Sequence, residues 1–341
     1  MPLAIRNRMN ADYKPLVTIV TPSFNQATYL EFSLLSVLQQ DYEPIEYIVV
    51  DGGSTDGSVE IIRKYADRLA WWVSEPDNGQ ADAINKGFSK AHGEVVAWLN
   101  SDDLYLPGAV SGAVKAFQAQ PEIGMVYGNA LTINARGQAL NELVFPDWDL
   151  SNLMGYRIIC QPAVFLCKST LDRVGLLDTS YQYLLDHQLW LRVAAHAPIA
   201  HVAETWAAAR QHPAAKNVAK AGNFGQEAFR ILSWMQSQPD LTTLLDQNQR
   251  QVLSGVHRLN ARYLLDGGRP GEALKAYWQA ILTKPSFALQ HWHRILYALL
   301  DLMGAGQLAN WYYFFRRNRR PSIIDYPGLV GWPGLCFNGD K

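Results

Sequence analysis

The sequence is poor in cysteine and has no long uninterrupted hydrophobic run. Its three cysteines, Cys160, Cys167 and Cys336, lack the spacing of a metal site and are an odd number, which argues against a disulfide framework or a zinc site. The longest apolar stretch, residues 295–305, contains Asp301 and is shorter than the ~18 residues that a membrane span needs. The first twelve residues have no apolar signal segment. We therefore expect a soluble, cytoplasmic protein with reduced thiols.

Charge of either sign is also scarce. Lys and Arg together number 30 and Asp and Glu 31, so the formal net charge is −1, and charged residues make up 18% of the chain. This balance creates no overall field that attracts nucleic acid, and we expect no nucleic-acid partner. Aromatic residues are plentiful instead, with 11 Trp and 16 Tyr. Amphipathic rings in this number are typical of a protein that handles sugars or works at an interface.

Two common phosphate-binding motifs are missing. The chain has neither a Walker-type lysine loop nor a G-x-G-x-x-G fingerprint, so its pattern does not by itself indicate a nicotinamide enzyme. It does contain short apolar runs at residues 16–20, 47–50, 71–73 and 95–99, each followed by a helical period. This alternation predicts an α/β fold, Rossmann-like, with a mostly parallel sheet and helices on both faces. Such sheets bind ligands at the carboxyl ends of their strands.

The pattern changes along the chain. A short strand near residues 125–127 and a hairpin turn at 134–137 continue the sheet. From about residue 222 helical periods dominate, and the glycine-rich stretch 267–271 separates two predicted helices. We predict a tail over 1–15, an α/β domain over 16–221, an all-helical module over 222–320 and a tail over 321–341.

An acidic pair follows the fourth predicted strand. Asp102 and Asp103 are adjacent carboxylates, which repel each other unless a cation or a proton lies between them. The pair therefore indicates a metal site. An alternative that fits the spacing equally well is that the two residues cap and begin a helix before Pro107.

Seven stretches match, in order and spacing, those of a known enzyme family. They are residues 21–25 (TPSFN), 50–58 (VDGGSTDGS), 75–87 (EPDNGQADAINKG), 98–103 (WLNSDD), 161–165 (QPAVF), 186–192 (DHQLWLR) and 210–212 (RQH). The chain thus resembles a family 2 glycosyltransferase of the GT-A fold, inverting and non-processive. The resemblance implies transfer of one sugar from a nucleotide-diphosphate sugar to a hydroxyl of a glycan or lipid-linked glycan, in bacterial surface polysaccharide synthesis.

The resemblance implies a role for one group of residues in binding the donor. Asp51 would accept hydrogen bonds from the nucleotide base, and its alternative role is to cap the turn before Gly52. The helix that begins after Gly79 would face the diphosphate, and for Asn85 plain helix packing is the alternative. The other implied donor-binding residues are Thr21, Pro22, Ser23, Asn25, Gln80, Asp82, Ser101, Asp102 and Arg210. UDP is the expected nucleotide, with GDP or dTDP as alternatives.

The resemblance also implies a metal ion. Asp102 and Asp103 resemble the Asp-x-Asp element that holds Mg²⁺ or Mn²⁺ between the two phosphates, and His212 would add a nitrogen ligand unless its role is structural. Asn100 stands where many relatives have Asp, which reduces the number of anionic ligands. We still expect a metal, because a departing diphosphate accumulates negative charge that a hard cation offsets.

Asp186 is implied as the general base of an inverting transfer, which takes the proton of the acceptor hydroxyl. Its alternative role is to cap the helix that it begins. Gln161 and Pro162 would shape the acceptor side of the cleft. Trp190 would either present its ring to a sugar or lie in the core.

The segment 311–320 combines five aromatic residues with four arginines, as an interfacial helix does. It predicts a peripheral contact with the inner face of the membrane; the alternatives are packing on the core or on a second subunit in a homo-oligomer. The Gln-x-x-Arg-Trp signature of processive relatives is missing, which implies single addition.

Two rival functions are a sugar-phosphate nucleotidyltransferase, which would normally carry a basic glycine-rich loop after its first strand, and a degenerate transferase that serves as a scaffold.

Overall fold

The computed structural model describes residues 13–213 and 220–305. These residues divide into two compact units. The first contains residues 13–148 and 159–211, and the second contains residues 149–158, 212–213 and 220–305. The segment 149–158, which the sequence placed in the first domain, therefore belongs to the second unit. Most of the two predicted tails falls outside the described residues.

The first unit begins with the predicted alternation of strands and helices. The elements are β1 (Val17–Ser23), α1 (Ala27–Leu38), β2 (Ile45–Asp51), α2 (Ser58–Lys64), β3 (Trp71–Ser74), α3 (Gln80–Phe88) and β4 (Val95–Trp98). β1 pairs with β2 and β4, and β2 pairs with β3, all in parallel. Val17, Ile19 and Val20 on β1 are fully buried, as expected for a parallel strand covered on both faces. The carboxyl ends of these four strands lie at one edge of the sheet.

The remainder of the first unit extends the sheet with strands of both directions. The next elements are β5 (Leu104–Tyr105), α4 (Ala109–Ala119), β6 (Met125–Asn134), β7 (Ala139–Leu143), α5 (Leu150–Met154, in the second unit), β8 (Val164–Cys167), α6 (Lys168–Val174), α7 (Leu185–His196) and β9 (Ile199–Gln211). The strand order is β3-β2-β1-β4-β8-β6-β9-β5, with β7 beside β6. β8 is antiparallel to β4 and β6, and the long β9 is parallel to β6. The predicted α/β fold with a mostly parallel sheet is confirmed.

Close packing fixes α3 against the sheet. A Cβ added at Gly87 would lie 2.4 Å from Cγ1 of Val20 on β1, so only glycine allows this approach of helix and strand. The side chain of Asn85 donates to the carbonyl of Leu177 (2.8 Å) and accepts from its N–H (3.0 Å). These contacts hold the second half of α3 against β1 and Leu177.

The second unit is helical, as predicted. Its remaining helices are α8 (Phe224–Gln236), α9 (Pro239–Asp266), α10 (Pro270–Thr283), α11 (Pro285–Ala288) and α12 (Trp292–Leu302). α9 and α10 are joined at the predicted glycine-rich turn, where Gly268 has φ +72°. Asp149 and Asn152 form a capping box at the start of α5. Ala261, Tyr277 and Ala298 belong to the small core of this unit.

None of the helices in the described part of the chain is both long and apolar enough to span a membrane. The aromatic and arginine segment 311–320 lies outside the described residues, so its predicted contact with a membrane or a second subunit stays a prediction.

Candidate active site

Asp51 ends β2 and is fully buried. Its Oδ2 accepts hydrogen bonds from the N–H groups of Gly53 (3.1 Å) and Ser54 (2.8 Å) and from the hydroxyl of Ser74 (2.7 Å). Its Oδ1 accepts from the hydroxyl of Ser54 at 2.5 Å. These bonds fasten the turn after β2 to the end of β3, which is the capping role considered above. A carboxylate offers about four acceptor positions, and these four bonds use them within the protein, so the predicted contact of Asp51 with a base stays a prediction.

The loop after β1 is tied to the loop after β2. Asn25 has φ +51°, a left-handed conformation that asparagine tolerates better than most residues. Its N–H donates to Oγ of Ser54 (2.8 Å), and its Oδ1 accepts from the N–H of Thr55 (2.9 Å). Thr21 and Pro22 are buried within β1, and the hydroxyl of Ser23 is buried without a hydrogen-bond partner among the described residues.

The start of α3 lies at the same edge. Gly79 has φ +107° and precedes the first helical residue, Gln80. Its N–H donates to Asp77 (2.7 Å), while Asp82 accepts from the N–H of Asn78 (3.0 Å). The first N–H groups of a helix, with its macrodipole, make a favourable place for an anion. The N–H groups of Asn78 and Gly79 already donate to carboxylates, so the predicted diphosphate contact depends on the N–H groups of α3 that follow them.

Asn100, Ser101, Asp102 and Asp103 follow β4 in a tight turn. Asp103 is 6% exposed, and each of its oxygens accepts a hydrogen bond: Oδ2 from the Asn100 amide (3.0 Å) and Oδ1 from the N–H of Arg210 (2.8 Å). Burial and, secondly, the charge of Asp102 raise the pKa of Asp103 to about 8. The structure therefore favours a neutralising partner at Asp103, either a proton or a cation.

Arg210, on β9, lies behind this turn and is 3% exposed. Its Nε donates to the carbonyl of Asp102 (2.9 Å), and its guanidinium group lies 4.8 Å from the ring centre of Tyr29. Burial lowers the pKa of Arg210, an effect that the nearby Asp103 charge opposes. The contacts of Arg210 place its positive charge directly beside the acidic turn.

Asp186 lies in the first turn of α7 and is half-buried. Burial raises the pKa of the Cys160 thiol, and the charges of Asp103 and Asp186 raise it further. Both carboxylates thus lie close enough to one thiol to act on it electrostatically. The loop before α7 lies next to the start of α3, because a Cβ at Gly79 would lie 3.5 Å from Oε1 of Gln182.

Of the three residues predicted for the acceptor side, Gln161 and Pro162 lie in one turn, whereas Trp190 lies in the core. Gln161 and Pro162 begin a short 3-10 turn before β8. Trp190 is 1% exposed, and its ring stacks on Trp98 with centroids 5.2 Å apart. Trp190 is therefore a core residue, as the second interpretation of it held, because Trp98 covers the ring face that a sugar would need.

The predicted metal ligands come from both units. Asp102 and Asp103 belong to the first unit, whereas His212, which is 6% exposed, belongs to the second. Within residues 13–213 and 220–305 there is no cluster of three or more His, Cys, Asp or Glu side chains close enough to hold a metal on their own. Two carboxylates with phosphate oxygens nevertheless form a usual set for Mg²⁺, so the residues present fit a cation that arrives with a diphosphate.

Several residues of the site carried no assigned role before. The amide of Asn100 contacts Gln80, Gln161 and Asp103. Ser33 on α1 donates to the carbonyl of Asp103 (2.7 Å). Apart from the contact of Asn100 with Asp103 in the same turn, these partners come from separate segments, so no local sequence pattern could have paired them.

The chain is similar in sequence to proteins named as glycosyltransferases. A family profile described as Glycosyl transferase family 2 matches residues 18–164. Over 189 residues the chain is 31% identical to "Uncharacterized glycosyltransferase RT0329" of Rickettsia typhi, covering 53% of this chain and 59% of the relative. Over 184 residues it is 32% identical to "Uncharacterized glycosyltransferase Rv1514c" of Mycobacterium tuberculosis, covering 53% of this chain and 69% of the relative. Thus the chain spans 59% of the length of the Rickettsia relative. A third relative, 30% identical over 217 residues, is "O-antigen biosynthesis protein RfbC" of Myxococcus xanthus; the match covers 61% of this chain and 17% of that protein.

Solved structures show the same fold. TarS residues 1–349 from S. aureus align with a TM-score of 0.57 at 17% identity, over 91% of this chain and 94% of that chain. The mannosyltransferase PcManGT from Pyrobaculum calidifontis, in complex with GDP-Man and Mn²⁺, aligns with a TM-score of 0.56 at 19% identity, over 93% of each chain. At these identities the likeness establishes the fold, and the GT-A fold is confirmed.

Proposed function

We propose that this chain, which belongs to glycosyl transferase family 2, transfers one sugar from a nucleotide-diphosphate sugar to a hydroxyl of a glycan or lipid-linked glycan, with inversion and with a divalent metal. The observation that carries the proposal is the hydrogen-bonded connection between the acidic turn after β4 and the start of α3. Asn100 donates to Asp103 (3.0 Å) and accepts from Gln80, the first residue of α3 (2.7 Å). A transferase needs a site of this kind for the diphosphate that leaves, and a further carboxylate, proposed to be Asp186, for the acceptor.

The donor lies along the carboxyl edge of β1, β2 and β4. Its diphosphate meets the start of α3 at Gly79 and Gln80, and its base lies near Asp51, with Asn25 in the adjoining loop. UDP is the proposed nucleotide, and GDP and dTDP are alternatives. TarS in complex with UDP-GlcNAc, with a TM-score of 0.54 at 17% identity, and the PcManGT complex with GDP-Man support a nucleotide-sugar donor.

Asp102 and Asp103 would hold the Mg²⁺ or Mn²⁺, with His212 as a further proposed ligand. When bound, the cation offsets the charge that accumulates on the departing diphosphate. The oxygen donors are of the hard type that both ions prefer. The burial of Asp103 next to Asp102 supports the assignment, because a cation would offset the negative charge that two adjacent carboxylates concentrate there.

The transfer is a single displacement. The acceptor oxygen forms a bond to the anomeric carbon, while the bond from that carbon to the phosphate oxygen breaks and its electron pair leaves on the diphosphate. Asp186 takes the hydroxyl proton as the new bond forms. Attack on the face opposite the leaving group inverts the configuration. Pro162 is buried at the turn before β8, so it would shape the acceptor side from within the fold.

The cellular role is proposed from the relatives. The printed name of the Myxococcus protein, an O-antigen biosynthesis protein, supports a role in surface polysaccharide synthesis. In this proposal, residues 311–320 bring the cytoplasmic enzyme to a lipid-linked acceptor at the inner face of the membrane.

Thermal shift and donor hydrolysis test the proposal. UDP-, GDP-, dTDP- and CMP-sugars are added with and without Mn²⁺, and at least one sugar is expected to raise the Tm. Asp186→Asn should then lower turnover by about 10²–10⁴-fold while donor affinity is kept. Asp172→Asn is the matched control, because Asp172 is an exposed acid paired only with Lys168 at 2.6 Å in the described structure. Full turnover in Asp186→Asn, or no stabilisation by any sugar, would contradict the proposal.

A further inference from the structure

A chain of three side-chain amides crosses the candidate site. Gln161 donates from Nε2 to the carbonyl of Trp98 (2.8 Å) and accepts at Oε1 from Asn100 (3.1 Å). Asn100 in turn accepts at Oδ1 from Nε2 of Gln80 (2.7 Å). Its Nδ2 also donates to Oδ2 of Asp103 at 3.0 Å. This series of hydrogen-bonded amides thus joins the end of β4, the start of α3 and the turn before β8.

The orientation of each amide in this chain is fixed by its neighbours. The Trp98 carbonyl can only accept, so Gln161 must turn its NH₂ toward it and its oxygen toward Asn100. Asn100 must then present its NH₂ to Gln161, and the same NH₂ reaches the carboxylate of Asp103. Its remaining oxygen faces the NH₂ of Gln80. No amide can flip without placing two acceptors against each other.

An aspartate at position 100 would not fit this arrangement. Its carboxylate would face Oε1 of Gln161, which is an acceptor, and would bring another carboxyl group against Asp103. If Gln161 flipped to donate to it, Oε1 would then oppose the Trp98 carbonyl. Leaving a buried acceptor opposite another acceptor costs the desolvation of those groups without a bond to compensate for it. Asn100 and Gln161 are therefore a matched pair in this chain.

We infer that Gln161 is a positioning residue for the diphosphate and metal end of the donor site, and that it acts through Asn100. This inference rests on the proposed function. By fixing Asn100, Gln161 determines where Asp103 is held and ties it to Gln80, the first residue of α3. The two features expected to meet the diphosphate, the acidic turn and the helix start, are thereby held at a fixed separation. Gln161, which the resemblance placed on the acceptor side, thus acts on the donor.

The test compares Gln161→Met, Asn100→Asp and Gln40→Met. Methionine has nearly the length of glutamine but makes no comparable hydrogen bond. Gln40 is the matched control, since it is also half-buried and its Nε2 donates to the carbonyls of Ser36 and Leu106, both at 3.0 Å. For each variant we measure the Tm and the KM and kcat of donor hydrolysis. Calorimetry in the presence of Mn²⁺ gives the affinity for UDP, GDP or dTDP, whichever of the three stabilises the wild type most.

Gln161→Met is expected to weaken Mn²⁺-dependent binding of the nucleoside diphosphate by about 10–100-fold, as loss of an orienting partner does at metal sites. Donor KM should rise with it. Gln40→Met should lower the Tm and keep the affinity. Asn100→Asp should bind less tightly than wild type, although it adds a carboxylate.

Two results would overturn the inference. Wild-type affinity in Gln161→Met, or tighter binding in Asn100→Asp, would show that the amide chain does not position the site. If the wild type itself bound none of the three nucleoside diphosphates with Mn²⁺, the proposed function would fail, and this inference with it.

Discussion

Gly87 offers a direct test of how α3 is placed. In Gly87→Ala, the new Cβ would lie 2.4 Å from Cγ1 and 2.9 Å from Cγ2 of Val20. Ordinary carbon contacts are about 3.5–4.0 Å long, so helix and strand must separate locally by about 1 Å. Val20 is fully buried, and a β-branched side chain has little freedom to turn away.

The expected loss of stability follows from two opposing effects. Overpacking of a core costs about 1–3 kcal/mol, and the upper end applies because the clash is with a rigid, fully buried side chain. Alanine in place of glycine stabilises the helix by about 1 kcal/mol, because alanine has the higher helix propensity. The net loss is about 2 kcal/mol, which corresponds to a Tm decrease of about 4–8 °C for a unit of this size.

A double-mutant cycle tests the cause. Val20→Ala alone should cost about 2 kcal/mol, since it removes two buried methyl groups and leaves a cavity. In the double variant the new methyl at position 87 occupies that space, so the combined loss should be smaller than the sum by about 0.5–3 kcal/mol. Urea unfolding of the four proteins measures this coupling. If the two losses simply added, the clash at Val20 would not be the reason for the glycine.

Two further predictions concern the acidic groups. Burial and, secondly, the charge of Asp102 raise the pKa of Asp103 to about 8, so the stability that this carboxyl contributes is greatest at low pH and is lost as the pH rises from about 4 to 8. The Tm measured without donor should therefore fall less over this range in Asp103→Asn than in the wild type. Equal slopes of Tm against pH in the two proteins would contradict the assignment. Asp51→Asn should lower the free energy of unfolding by about 1–3 kcal/mol in urea, because the bonds to Gly53, Ser54 and Ser74 lose a charged acceptor; an unchanged midpoint would count against a structural role for this carboxylate.

The regular part of the fold could be predicted from local patterns. β1 to β4 are continuous apolar runs followed by helical periods, and each was found within a few residues. β5, β8 and β9 were not predicted. β5 has two residues and β8 has four, too few for a period to show, and β9 contains five alanines, which have low strand propensity. These strands depend on pairing with partners distant in sequence.

The same distinction applies to the candidate site. Asp51 and Asp102 follow apolar runs, so their place at the carboxyl edge could be predicted from the topology of parallel strands. The partners of Asn100 could not, because Gln80 and Gln161 meet it only after α3 and the turn before β8 are packed. The role of Trp190 could not be predicted either, because an aromatic residue on a helix has the same local pattern whether it faces a sugar or stacks on Trp98.

The replacement of a carboxylate by Asn100 can be understood from the charges around it. Asp103 is already buried beside Asp102, and burial and, secondly, the charge of Asp102 raise its pKa. A carboxylate at position 100 would add a third charge within hydrogen-bonding distance of Asp103. An amide keeps the same shape, donates to Asp103 and adds no charge. In the proposed reaction, a cation held by Asp102 and Asp103 would therefore have fewer protein charges to neutralise and would stabilise the diphosphate more strongly.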